Sequence, residues 1–241
     1  MRSIAHLSSL VVFLVLSAMN VFGLDKLDTK KAPIQDRTAS MVEPGLTINP
    51  ERTAVLIMDY ENDIVGMFPE GVRGSLIERA NAILKKARQA KIQVIYVAVR
   101  FREGYPEISP QNKLFSGLKK TGLLVEGTPG AEIDSRLAPQ PGDIVVTKRR
   151  VGAFYTTDLE TILRSKNISK LVMFGLSTSG VVLSTVRWAA DMDYSMAVVS
   201  DACADFDPEV NRVLMEKVFP WQATVVKSDE LLRAIDTNTS R

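Results

Sequence analysis

Six short apolar runs, at residues 54–58, 93–98, 143–146, 171–174, 196–199 and 223–225, constrain the fold more than any other feature of this chain. Most are continuous stretches of Val, Ile, Leu and Met, without the in–out alternation of a half-exposed strand. Such runs suit strands buried on both faces, as in a parallel sheet. Between them lie segments with helical spacing. Residues 75–90 carry Leu76, Ile77, Ala80, Ile83, Leu84 and Ala87 along one face, and residues 157–165 carry Leu159, Ile162 and Leu163. Segments 182–192 and 208–218 complete the set. Strand–helix alternation along the chain predicts an α/β fold: a doubly wound, mostly parallel sheet of about six strands with helices on both faces. Ligands of such sheets bind beyond the carboxyl ends of the strands, near the point where strand order reverses. The strand ends are therefore where chemistry is expected.

The N-terminal region reads differently. Arg2 precedes a mostly apolar stretch over residues 10–19, and Val21-Phe22-Gly23 ends on a small residue. Residues 1–23 are expected to be an export signal, with an uncleaved anchor as the alternative, and the protein is expected to be periplasmic or secreted. Residues 24–47, polar and containing Pro33 and Pro44, read as a linker or arm. A single domain is expected over 48–235. Net charge is +2, which excludes the basic footprint of a nucleic-acid-binding protein; no membrane association is expected once the signal is removed. A small-molecule partner is expected, and a homo-oligomer is left open.

Residue counts exclude whole classes of mechanism. Cys203 is the only cysteine and His6 the only histidine. No intramolecular disulfide can form. If residues 1–23 are removed, no histidine remains for a Ser-His-Asp or Cys-His mechanism or for a His-based zinc site. No metal and no cofactor are expected.

Three strand ends offer candidates. Asp59 follows the first run, in Asp59-Tyr60-Glu61-Asn62-Asp63. A carboxyl group at the mouth of a buried strand can have a raised pKa and act as a general acid or base, although an Asp here also reads as a turn or cap residue. Lys148 follows the third run; beside a carboxylate it would hold that group ionised or stabilise developing negative charge, whereas alone it reads as a solvated surface residue. The stretch Gly175-Leu176-Ser177-Thr178-Ser179-Gly180-Val181-Val182 leads from the fourth run into a helix. Backbone amides at such a helix start favour an anion, although any α/β protein has several ordinary connections of this kind.

Order and spacing carry a resemblance. A strand ending in Asp precedes Glu61-Asn62-Asp63. Lys148 is followed by Ala153-Phe154. Gly175, Thr178, Val181 and Thr185 fall at the spacing Gly-x-x-Thr-x-x-Cys-x-x-x-Thr, and Ser200-Asp201-Ala202-Cys203-Ala204 comes later. Over roughly residues 48–230 the chain resembles the isochorismatase-like (cysteine hydrolase) superfamily. The resemblance implies Asp59 and Lys148 as catalytic residues and position 181 as that of the nucleophile.

It also exposes departures. Val181 stands where the nucleophilic Cys is usual, and Val cannot attack a carbonyl. Glu61 replaces the usual Gln. The Asp-x-His metal motif of nicotinamidases is absent, since residues 100–105 contain no His. Isochorismatases proper also lack the Cys, and their Asp is thought to protonate a vinyl ether. The chain is therefore read as a hydrolase acting on a small, carboxylate-bearing molecule without a Cys nucleophile. Alternatives are an inactive binding protein of the same fold, or an amide or ester hydrolase with another nucleophile such as Ser179. Arg100 at a strand end, Phe154, Thr178 and Gly180 are the expected substrate-binding residues, with Tyr155 and Trp188 as further candidates. Cys203 reads as a small buried residue.

Overall fold

A computed structural model describes residues 46–239 of the chain. The proposed signal at 1–23 and nearly all of the proposed arm lie outside the described residues. The first apolar run becomes β1 (Thr53–Met58), with every residue buried. The others become β2 (Gln93–Val99), β3 (Ile144–Lys148), β4 (Lys170–Gly175), β5 (Ser195–Val199) and β6 (Thr224–Val226). They form one sheet of order β3-β2-β1-β4-β5-β6, and each neighbouring pair is parallel. The central strands are buried nearly throughout because the sheet is covered on both faces. The edge strands are less covered; Val145 in β3 is 42% exposed.

Strand addition runs one way from β1 to β3 and the other way from β4 to β6, so the order reverses between β1 and β4. There Met58 lies opposite Gly175 in register. No side chain fits at Gly175: an added Cβ would stand 2.8 Å from the Met58 carbonyl oxygen and 2.9 Å from its Cβ. The crevice expected of a doubly wound sheet opens beyond this pair.

Among the described residues, six α-helices flank the sheet: α1 (Asn62–Gly66), α2 (Glu70–Gln89), α3 (Leu159–Ser165), α4 (Leu183–Asp191), α5 (Pro208–Val213) and α6 (Ser228–Thr239). Right-handed crossovers in opposite directions put α2 and α4 on opposite faces. The helical face expected over 75–90 is buried as read, with Leu76, Ile77, Ala80, Ile83, Leu84 and Ala87 inward. The helix starts earlier, at Glu70, because the Pro69 carbonyl accepts from Val72 and Arg73 and opens a further turn. The segment expected over 182–192 is preceded by a wider π-type turn, Thr178–Val182. That over 208–218 passes into a similar turn, Leu214–Val218. Helix α6 was not anticipated; it packs on α2, and its Leu231 and Ile235 are buried.

The long connection from β2 to β3 has no helical or strand period in its sequence. It builds a small apolar cluster of its own, with Phe101, Tyr105, Ile108 and Leu124 at its centre and Phe115 and Leu118 packed against them. A bridge from Phe101 to Val125 ties it down. This excursion matters because it walls one side of the crevice.

Candidate active site

Asp59 is the first residue past β1. Its backbone has φ +58°, the left-handed region that a non-glycine residue rarely enters. Holding it there costs about 1–3 kcal/mol and persists only where the surroundings enforce it, as at functional sites. Its N–H donates to the Val97 carbonyl at 2.9 Å. This turn at the end of β1 places the carboxyl group inside the protein, with the residue only 6% exposed. Asp59 is therefore no exposed turn residue.

Lys148 ends β3 and lies in register with Val99 at the end of β2. Its ammonium reaches across the end of β2 to donate to Asp59 Oδ2 at 2.9 Å and to the Arg150 carbonyl at 3.0 Å. It is 1% exposed, which rules out the reading as a solvated surface lysine. Burial pushes the Asp59 carboxyl up to about 6, the largest effect, while the Lys148 charge and hydrogen bond and the Val99 amide act in the opposite direction. The result is a buried acid–base group that changes protonation close to neutrality.

The third side of the crevice is the turn after β4. The Leu176 amide donates to the Met58 carbonyl at 3.2 Å, and the Leu176–Ser177 peptide is cis. Val181 is 2% exposed and buried in the π-type turn. Between these elements lies a cavity of about 170 Å³ lined by Asp59, Lys148, Val99, Ser177, Gly180 and Val181. Ile64, Met67, Leu114, Phe115, Leu118, Leu124, Val151, Leu176 and Phe206 complete its wall. One end is an ion pair and almost everything else is hydrocarbon. Among the described residues, no group of three or more His, Cys, Asp and Glu side chains is placed to hold a metal ion.

Of the residues singled out in the sequence, Asp59, Lys148, Val181 and Gly180 meet at this cavity. Five others do not line it. Arg100 is turned aside, its Nε on the Ala131 carbonyl at 2.9 Å and its Nη2 on Glu132 at 3.3 Å, so it braces the β2–β3 connection. Phe154 is buried beside Tyr194, ring centroids 6.2 Å apart. Thr178 is fully buried, and its Oγ1 lies 2.6 Å from Asn211 Oδ1. Tyr155 and Trp188 pair with each other at the surface, half exposed.

The elbow amides also differ from expectation. The Gly180 N–H is directed at Ser177, 3.2 Å from both its carbonyl and its Oγ, and the Val182 N–H at the same carbonyl at 3.4 Å. They stabilise the turn instead of facing the cavity. Ser179, considered as a substitute nucleophile, is exposed and absent from the lining. The apolar wall from the β2–β3 connection and Phe206 was missed. Phe206 stacks on Phe68 with ring centroids 5.0 Å apart, a contact no local pattern announces.

Position 181 offers a chemical check of this geometry. Cys203 is buried, and burial pushes its thiol up to about 12, so it is a poor thiolate. A thiol at position 181 would face the cavity beside Lys148. Val181→Cys, a small change in volume that the fold should accept, is expected to react with iodoacetamide at least tenfold faster than Cys203 does in the native protein. An introduced thiol no faster than Cys203 would contradict the placement of Val181 at the cavity.

A family model for the isochorismatase domain matches residues 53–230. The ureidoacrylate amidohydrolase RutB of Rhizobium rhizogenes is 32% identical over 220 residues, covering 79% of this chain and 89% of the relative. The N-carbamoylsarcosine amidase of Thermoplasma acidophilum superposes with a TM-score of 0.61 at 25% identity, over 74% of this chain and 97% of that one. A cysteine hydrolase from Pseudomonas syringae pv. phaseolicola 1448A shares the fold, with a TM-score of 0.74 at 24% identity over 82% of this chain and all of the other. By sequence match over most of its length and by fold, the chain belongs to the isochorismatase family of hydrolases.

Proposed function

We propose that the protein hydrolyses a small molecule by water attack driven by Asp59, without a covalent enzyme intermediate. The observation that carries this reading is the buried Asp59–Lys148 pair at the polar end of an otherwise apolar cavity, with Val181, which has no nucleophilic atom, in its wall. At neutral pH Asp59 is mainly ionised and can take a proton from an attacking water. The water oxygen bonds to the carbonyl carbon, Lys148 offsets the charge that develops, and the proton passes from Asp59 to the leaving nitrogen or oxygen as its bond to carbon breaks. The names of the relatives, an amidohydrolase and an amidase, put C–N bonds first among those to test.

The lining also bears on the substrate. Lys148, the only cation among the described residues of the wall, is already paired with Asp59, and Arg100 is engaged elsewhere. That favours a compact substrate with an apolar body and one amide, ester or enol-ether group, over the carboxylate expected from sequence. A second reading, binding without turnover, is favoured by the same cavity wall, in which Val181 offers no nucleophile. The deciding experiment is hydrolysis of a panel of small amides, N-carbamoyl compounds, esters and vinyl ethers, with binding followed in parallel by thermal shift. Turnover of at least one compound is expected; ligand-induced stabilisation with no product from any member would support the binding reading instead.

A further inference from the structure

Glu61 is the most unusual buried group that the mechanism above leaves unused. It lies two residues beyond Asp59, immediately before α1, where its backbone bridges to Ile133. Its side chain is fully buried, and neither carboxyl oxygen has a hydrogen-bond partner. One further orphan stands in the same place: Asp59 Oδ1, the oxygen that Lys148 does not take. The Val99 amide lies close to both carboxyl groups without making a well-formed hydrogen bond to Glu61. A buried carboxylate with no partner is among the most costly groups a protein can hold, and it escapes that cost by taking a proton. The charges acting on Glu61 are Asp59, at the end of β1, and Lys148, at the end of β3. Two carboxyl groups and one ammonium cannot all be charged in a dry site without a net buried charge. Lys148 sits on Asp59, so the extra proton falls to Glu61.

We propose that Glu61 is a third member of the Asp59–Lys148 site, held as the neutral acid and donating its hydrogen to Asp59 Oδ1, directly or across one water. The two orphaned groups then satisfy each other: a protonated carboxyl is a donor, and Oδ1 is an acceptor in need of one. Burial raises the Glu61 carboxyl well above the usual carboxylate range, and the nearby Asp59 charge raises it further, with Lys148 opposing. Glu61 is thus a positioning residue. It fixes the rotamer of Asp59 and stabilises its ionised form from the side opposite Lys148. A Gln at this position would do the same through its amide N–H.

The inference rests on the reading of Asp59 as the acid–base group, but its test needs no substrate and can fail independently of that reading. Infrared spectra of the intact protein at pH 8 should contain the carbonyl stretch of a protonated carboxyl group, and Glu61→Gln should abolish it. A native spectrum without that band, or a band unchanged in Glu61→Gln, would overturn the proposal. The second readout is the titration of Asp59, followed by carbon NMR of labelled aspartate. Glu61→Gln keeps a donor and should leave the Asp59 midpoint close to the native one. Glu61→Met removes the donor and should raise the proton affinity of Asp59 about tenfold. Equal midpoints in the two variants would show that Glu61 merely fills space.

Discussion

Lys148→Met should lose about 3 kcal/mol of stability at pH 8, the penalty of leaving a buried carboxylate without its partner. The loss should shrink as the solution is made acidic. In the native protein Asp59 titrates at about 6, against an ordinary value of 3.8. The folded state therefore binds more protons than the unfolded state between those values. The contribution of this group is fully present below the ordinary value and is lost as pH rises through about 6. Two units of displacement correspond to roughly 3 kcal/mol. Without Lys148 the Asp59 carboxyl moves higher still, so above about pH 6 the variant should lose stability with rising pH more steeply than the native protein, in which the neutral Glu61 alone maintains a slope. Asp59→Asn removes this contribution and should make the profile shallower between about pH 4 and 6, leaving the slope due to Glu61. Denaturant unfolding at pH 5 and pH 8 measures all three. A Lys148→Met variant as stable as the native protein at pH 8, or one that gains stability as pH rises in this window, would contradict the buried-pair account.

Asp59→Asn should lower kcat/KM by about 10²- to 10⁴-fold on any substrate the native protein turns over, the usual scale for loss of a general base or acid. Asn has the same shape and can still accept from Lys148, but it cannot take a proton from water. The variant should remain folded, and circular dichroism checks this. In the native protein kcat/KM should climb as pH rises through about 6 and then level off, because the working form of Asp59 is the ionised one. In the variant the residual rate should lack that rise. A native profile that falls through the same window would reverse the role and make the protonated carboxyl the working form.

The parts of this protein visible in its sequence are those set by local pattern. The apolar runs become strands because the inner strands are buried on both faces, as in β1 and β4. Asp59 and Lys148 were legible because each follows such a run, and parallel strands deliver their ends to one edge. Arg100 was misread on the same reasoning. It stands at a strand end, but the β2–β3 connection supplies the Ala131 carbonyl and Glu132, which turn it aside. That connection was illegible because its order comes from contacts among distant residues such as Phe101, Phe115 and Leu124, with no period of their own. Glu61 shows the same limit most sharply. A charged residue after a strand reads as exposed, and only the folded protein reveals that it is sealed beside a second carboxyl group. The one signal in the sequence was Glu61 standing where the resemblance leads one to expect Gln.

The central claim is hydrolysis by an acid–base pair with no covalent step, and intact-protein mass spectrometry of acid-quenched turnover mixtures tests it most directly. With a hydrolysed amide or ester present in excess and turnover at steady state, the protein should keep its unmodified mass while product accumulates, since Val181 offers no nucleophile. A population heavier by the acyl portion of the substrate would contradict the account and place the nucleophile on another residue.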